Sequence, residues 1–424
     1  MSGRPRASRT SSPSKARVLV ARQPIFNARL EVTAYELLFR SLPWADLSGH
    51  RGTQATARLI VDSLMEQGSR TLTQGHPAHV NFTRELIVGG YADVIPHATV
   101  VIEVLEDVPA DEEVIAALAA LRRSRYRVVL DDVRDVERVV PFKDVITGVK
   151  IDLPFVEVER LPRIVSDLRK LVPGVQLTAE KVETWEMFQL TKELGFDGFQ
   201  GYFLSKPITL ERASVEAFRP HYLQLLNLTS APVVDMVAVE QIVRTDLALT
   251  SKLLRHANSA SSMQTRAFDS IRDALVLLGA EGVRRTAALA ALAGLGSDRP
   301  EELVMNSVVR ARFCESLAEV GHLNAPRFDL FLLGMFSMVD ALLGAPMEQA
   351  LEDLPVTDAV RGALLYGEGR LGSVLRLVEA YERASWDEFQ QLAWDLELDV
   401  ARIPPLYVDA VQWMSNAFEN ARAA

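Results

Sequence analysis

The feature that most limits what this chain can become is a regular exchange of two hydrophobic periods between residue 17 and about residue 210. Short β-rich runs (RVLVARQPIF, ATVVIEVLED, YRVVLDDV, ITGVKIDL, VQLTAEKVE) alternate with stretches of helical spacing (TQATARLIVDSLMEQ, DEEVIAALAALRRSR, RLPRIVSDLRKLV, WEMFQLTKELG). Strand–helix alternation implies a parallel sheet, because a parallel connection must cross back over the sheet face. Seven or eight strands in roughly 195 residues suit a closed (β/α)8 TIM barrel better than an open sheet, and in such barrels the chemistry gathers at the C-terminal strand ends. HPAHVNFT reads as a short strand entering a loop, with His76 and His79 solvated in that loop.

After Pro207 the β signal fades, and the remainder reads as helices with short breaks. SIRDALVLLGAEGVRRTAALAALAGLG predicts two helices joined at Gly279. The expected organisation is a basic, Ser/Pro-rich disordered tail over 1–17, an α/β barrel over 18–207, a compact all-α domain over 208–405 and a terminal helix over 406–424. No apolar run reaches the roughly 18 residues of a membrane span. The net charge of −10 argues against non-specific nucleic-acid binding. A single cysteine, Cys314, excludes an intrachain disulfide and a cysteine-based zinc site, which fits a cytoplasmic protein.

In the first half, polar residues interrupt or end the apolar runs in a set order. They are Glu36, Asn81, Glu103, Asp131 with Asp132, Lys150 with Asp152, Glu180 with Glu183, and Gln200. After a longer first gap, successive members lie about one βα unit apart, so a barrel would bring them to one mouth. Taken singly, each has a plainer reading: an acid at a strand end commonly caps the next helix, and Lys150 alone reads as a surface or salt-bridge lysine. Taken together, several carboxylates at one mouth would repel one another unless a cation intervened. Oxygen ligands of this kind suit magnesium, manganese or calcium. A lysine beside them suits a phosphate or a developing negative charge.

The same residues carry a family likeness. The first half resembles the EAL domain, a barrel that binds cyclic di-GMP and, in active members, hydrolyses it to linear pGpG with magnesium or manganese. The namesake triplet reads Glu36-Leu37-Leu38, with Arg40 kept; VNFT, VIEVLED, LDD, VKIDL, AEKVET and FQGYFLSKP match the family's further motifs in order. The resemblance implies metal ligation by Glu36, Asn81, Glu103 and Asp131. It implies that Asp132 and Asp152 are second-metal ligands or supports, and that Lys150 orients water or phosphate. Glu180 would be the general base, Glu183 would hold the loop after Asp132, Gln200 would complete the pocket and Arg40 would hold a phosphate oxygen.

Two positions depart from the family. Its glycine-rich loop after the acidic pair, which organises the second metal and a dimer contact, reads Val133-Arg134-Asp135-Val136 here. Lys181 replaces the glycine beside the proposed base, where an ammonium would lower the basicity of Glu180 if it pointed inward. The second half resembles the HDOD domain in LLRHANSA and SIRDALVLLGAEGVRR. It lacks a His-Asp pair, carries Ser337 where related domains often have histidine, and scatters His221, His256 and His322 without metal-ligand spacing. The implied protein is a cyclic di-GMP signalling molecule whose barrel binds nucleotide and metal with weak or no hydrolysis. Its HDOD half would act on a signalling partner, with a homodimer as a further expectation. The rival readings are a working phosphodiesterase and a scaffold that binds no nucleotide.

Overall fold

A computed structural model describes residues 18–41, 69–202, 220–231, 233–245, 270–295 and 299–422. The tail 1–17, the helical pattern of 53–67, residues 203–207 and the LLRHANSA stretch with His256 lie outside the described residues. Eight strands form a closed barrel in sequence order. They are β1 (Val18–Phe26), β2 (Val32–Ser41), β3 (Ala78–Phe82), β4 (Val100–Val104), β5 (Arg127–Val133), β6 (Gly148–Asp152), β7 (Gln176–Glu180) and β8 (Gly198–Phe199).

The sheet is not wholly parallel. β1 runs antiparallel to both neighbours, β2 and β8, and Phe26 pairs with Phe199 to close the barrel. The reason lies in the link between β1 and β2: a crossover needs a dozen or more residues, and only the segment from Asn27 to Glu31 is available. Asn27 builds a hairpin turn there, its Oδ1 accepting from the backbone N–H groups of Arg29 at 2.8 Å and Glu31 at 3.1 Å. The remaining pairs, β2 to β8, are parallel.

Amphipathic helices cover the parallel strands. The helix Glu112–Arg123 buries Val114, Leu118 and Leu121, and Leu161–Leu171 buries Leu161, Ile164, Val165 and Leu168. Asp111 caps the first of these by accepting from Val114 N, and Thr184 caps Trp185–Glu193 by accepting from Met187 N.

The outer side of the β1–β2 hairpin is covered by the second half of the chain. Tyr35 donates its hydroxyl to Glu302 Oε2 at 2.7 Å, and Arg22 reaches Glu302 at 3.7 Å with its guanidinium 4.6 Å from the Tyr35 ring centre. Glu302 opens the helix Glu301–Leu317, which is buried on nearly every face. The helices Arg327–Phe336 and Ile403–Arg422 pack against it. The helix Ile271–Leu295 breaks at Gly279 (φ 62°, ψ −177°), where the sequence pattern places a joint. The terminal helix begins at Ile403, three residues before the expected boundary.

Candidate functional site in the barrel mouth

Strand side chains alternate, so residues two apart share a face. That period turns Gln23, Glu36, His79, Asn81, Glu103, Asp131, Lys150, Asp152 and Glu180 into the barrel. The register sets Gln23 beside Glu36, Glu36 beside His79, Asn81 beside Glu103 and Asp152 beside Glu180. The acidic series therefore converges on one mouth, and its members face one another rather than capping helices.

Lys150 lies at the centre and is fully buried. Its Nζ is 2.7 Å from Glu180, 2.8 Å from Glu36, 3.0 Å from Glu103 and 3.3 Å from Asp131. Burial pushes the ammonium toward neutrality, but these four carboxylates outweigh it and hold its pKa well above the usual lysine value. Burial likewise pushes Glu36 up, yet Lys150 and the Gln200 amide, which donates to Glu36 Oε2 at 2.7 Å, hold it below the usual carboxylate range. Glu103 and Asp131 are pushed up by burial and by neighbouring carboxylates despite Lys150. Glu180 is pushed up to about 8 for the same reasons.

Glu36, Glu103 and Asp131 each offer an oxygen within 4.8 Å of the others. Around them, Glu103 Oε2, Glu180 Oε2 and Asn81 Oδ1 are buried acceptors that receive no hydrogen bond, while Asp131 Oδ1 meets the Lys150 ammonium at 3.3 Å. A set of hard oxygen atoms lacking donors fits a divalent cation, since such atoms otherwise carry the full cost of desolvation. Asn81 also donates from Nδ2 to Glu36 Oε1 at 3.0 Å, which leaves its carbonyl oxygen available to an ion.

Two contributors escaped the sequence reading. His79 is not a solvated loop residue: it lies in β3, only 8% exposed, with Nδ1 2.6 Å from Glu103 Oε1. Burial and then Lys150 push its pKa down to about 3, so the ring is neutral at neutral pH. The signal was its two-residue offset from Asn81. Gln23 is the second; its Oε1 accepts from Gln200 at 3.0 Å and its amide reaches the Tyr202 hydroxyl at 3.4 Å.

An outer tier sits above this cluster. Strand β5 changes register after Leu130, and Asp132 adopts a left-handed φ of 49°, so the alternation breaks and Asp132 joins Asp131 at the mouth. Lys181, also left-handed at φ 55°, places its ammonium 2.9 Å from Asp152 Oδ1 and 3.2 Å from Asp132 Oδ1. Of the two directions open to Lys181, the side chain takes the one away from Glu180, toward the outer aspartates, and Glu180 is raised rather than lowered. Arg134 lies over the exposed Phe155 ring at 4.1 Å and reaches Glu106 at 3.5 Å and Asp152 at 3.8 Å. Glu183 is exposed just beyond the end of β7. Arg40, expected to hold phosphate, lies at the end of β2 and pairs with Asp387 of the helical half at 2.7 Å. Gly201 follows Gln200 at φ 153°, and a side chain there would strike the Val182 carbonyl.

In the helical half, Ser337 accepts from buried Arg310 at 3.1 Å, and Arg310 also pairs with Glu382 at 2.8 Å. At the position where related domains often carry histidine, a serine thus completes a buried arginine–carboxylate network. No described helix is long and apolar enough to cross a membrane.

Comparison with known proteins agrees with both halves. The EAL domain model matches residues 74–207 and the HDOD domain model residues 217–351. The cyclic di-GMP phosphodiesterase CdgJ of Vibrio cholerae is 34% identical over 398 residues, covering 93% of this chain and 91% of that protein. The uncharacterized protein YuxH of Bacillus subtilis is 31% identical over 414 residues, covering 95% of this chain and 99% of its own. Among solved structures, the Bacillus subtilis YkuI protein, with an EAL domain and in complex with cyclic di-GMP and calcium, overlaps 61% of this chain and 71% of its own. That overlap has 19% identity and a TM-score of 0.36.

Proposed function

The chain belongs to the family of proteins that join an EAL domain to an HDOD domain, and from that premise we propose that its barrel binds cyclic di-GMP together with a divalent cation, magnesium or manganese, and turns the nucleotide over slowly or not at all. The observation that carries the binding half of this reading is the Glu36–Glu103–Asp131 cluster, with the donor-less oxygens Glu103 Oε2, Glu180 Oε2 and Asn81 Oδ1 at the same mouth. Glu36, Glu103, Asp131 and the Asn81 carbonyl would hold the ion, which would neutralise a phosphodiester and polarise its phosphoryl oxygen. Lys150 holds the four inner carboxylates together, while Gln200 and Gln23 fix the orientation of Glu36.

The slow-turnover half rests on the segment after Asp132. Val133 continues the strand, fully buried, and Arg134 is committed to Phe155, Glu106 and Asp152. Hydrolysis demands placement within about 1 Å, whereas binding tolerates more. The helical half would then pass the nucleotide-bound state to a protein partner, and Arg40 would meet a phosphate oxygen. A second reading, an efficient phosphodiesterase forming pGpG, is favoured by the likeness to CdgJ and by Glu180, whose raised pKa near 8 suits a general base.

One experiment separates them: cyclic di-GMP binding by calorimetry and pGpG formation by the full chain, with magnesium and with manganese. Micromolar or tighter binding with turnover far below one per second is expected. Turnover at or above about one per second, within the ordinary enzyme range, promotes the phosphodiesterase. No binding with either metal leaves a scaffold. The same readout applies to Glu36→Ala and Asp131→Ala, which should lose metal-dependent thermal stabilisation.

A further inference from the structure

We propose that the barrel mouth takes one divalent ion rather than two, because the Lys181 ammonium is a built-in cation for the outer aspartates, Asp132 and Asp152. The inference rests on the reading that the inner cluster binds metal, and it adds what the outer tier does.

Counting charge separates the two tiers. The inner tier sets four carboxylates, Glu36, Glu103, Asp131 and Glu180, against one ammonium, Lys150. With every group ionised it carries a deficit of three positive charges. A divalent ion answers that deficit. The outer tier sets three carboxylates, Asp132, Asp152 and the exposed Glu106, against two cations, Lys181 and Arg134. Its deficit is one charge, against three in the inner tier.

Geometry points the same way. Asp152 is fully buried, and cations face both of its oxygens: Lys181 at 2.9 Å from Oδ1 and Arg134 at 3.8 Å from Oδ2. Phe155 underlies both cations, with Arg134 at 4.1 Å and Lys181 at 5.7 Å from its ring centre. A metal ion bridging Asp132 and Asp152 would have to sit where the ammonium now bridges them, and could enter only after Lys181 had left. The left-handed backbone at residues 132 and 181 directs the two side chains toward each other. An L residue larger than glycine or asparagine is uncommon in that region. A lysine held there to make two ion pairs is a placed charge rather than a loose surface side chain.

Manganese stoichiometry in the full chain tests this, by equilibrium dialysis with metal analysis and by electron paramagnetic resonance. One ion per wild-type chain, with a mononuclear spectrum, is expected. Lys181→Gly, which suits the positive φ and removes the ammonium, should bind a second ion and show the exchange-coupled signal of a manganese pair about 3.5–4 Å apart. Lys181→Arg, which keeps the charge, should stay at one. Two ions in the wild type would overturn the inference while leaving the metal-binding reading intact. A single ion in Lys181→Gly would also overturn it. No ion bound by the wild type would remove the metal-binding reading and this inference together.

Discussion

Arg40 and Asp387 meet across the two halves of the molecule, Nη2 to Oδ1 at 2.7 Å, although the first ends a barrel strand and the second opens a late helix. Asp387 is 88% exposed and Arg40 37%, so the pair adds under about 1 kcal/mol to stability. Its consequence lies in competition: while Arg40 holds a carboxylate it is not available to a phosphate. Asp387→Ala should therefore raise cyclic di-GMP affinity by up to roughly fivefold, about 1 kcal/mol. Thermal stability should be nearly unchanged, and Arg40→Ala should lower affinity. Calorimetry on the two variants checks this; equal affinity in Asp387→Ala and wild type would detach the pair from ligand binding.

Lys150 should matter more to the empty protein than to the metal-loaded one. Lys150→Met leaves four buried carboxylates without their common cation. Breaking such a network by removing one member costs about 3–5 kcal/mol. Saturating magnesium should recover part of that loss, because an ion that binds only the folded state stabilises it. Urea unfolding at pH 7.5, with and without magnesium, measures both. A variant with wild-type stability in chelator would mean that protons, not Lys150, neutralise the cluster.

Metal affinity should rise with pH. Burial raises Glu103 and Asp131 and carries Glu180 to about 8, so protons occupy these groups at pH values where free carboxylates are bare. Glu103 and Asp131, as ligands, must lose their protons to bind an ion, and a cation beside Glu180 favours its ionised form. Affinity should climb from pH 6 to about 8 and then level off, with protons released on binding. Metal-free stability has the opposite slope: the folded state holds more protons than the unfolded one between Glu180's ordinary 4.5 and about 8, so its contribution is lost as pH rises through that window. Calorimetry in buffers of different ionisation enthalpy reads the proton release, and a pH-independent affinity would contradict the shifts.

The two halves should unfold together. Tyr35→Phe strips buried Glu302 of its 2.7 Å hydrogen bond and should cost about 1–3 kcal/mol. Circular dichroism and Trp fluorescence should report one shared transition, shifted in the variant. Two separated transitions in the wild type would show that the contact is not what couples them.

Much of the site was legible because its residues break a strong local pattern. Glu36, Glu103 and Lys150 are charges inside or ending apolar runs, and no other reading of those runs accommodates them together. The antiparallel β1 departs from the parallel sheet that the alternation implies: five residues cannot carry a crossover, but the helix–strand rhythm of the rest hides that short link. His79 was lost because β3 is only five residues long and follows a proline, too short for alternation to stand out. The direction of Lys181 depends on one backbone angle and on a break in β5 fifty residues away, neither of which has a local signature. Arg40 and Asp387 are 347 positions apart, beyond the reach of any periodicity.

The hairpin made by β1 and β2 has a consequence for how the protein is made. Its outer surface is covered by Glu302 and by helices that follow, with Tyr35 and its hydrogen-bond partner 267 residues apart. At ribosomal speeds of about 5–20 residues per second, that partner emerges roughly 15–50 s after Tyr35. The barrel cannot close until β8 emerges, and for roughly the last 5–20 s of that interval the nascent barrel presents Arg22, Tyr35 and the apolar side chains around them to solvent and to chaperones. A barrel released from the ribosome without the helical half would keep that side open for good, which makes the helices part of the barrel's own folding and not only its readout.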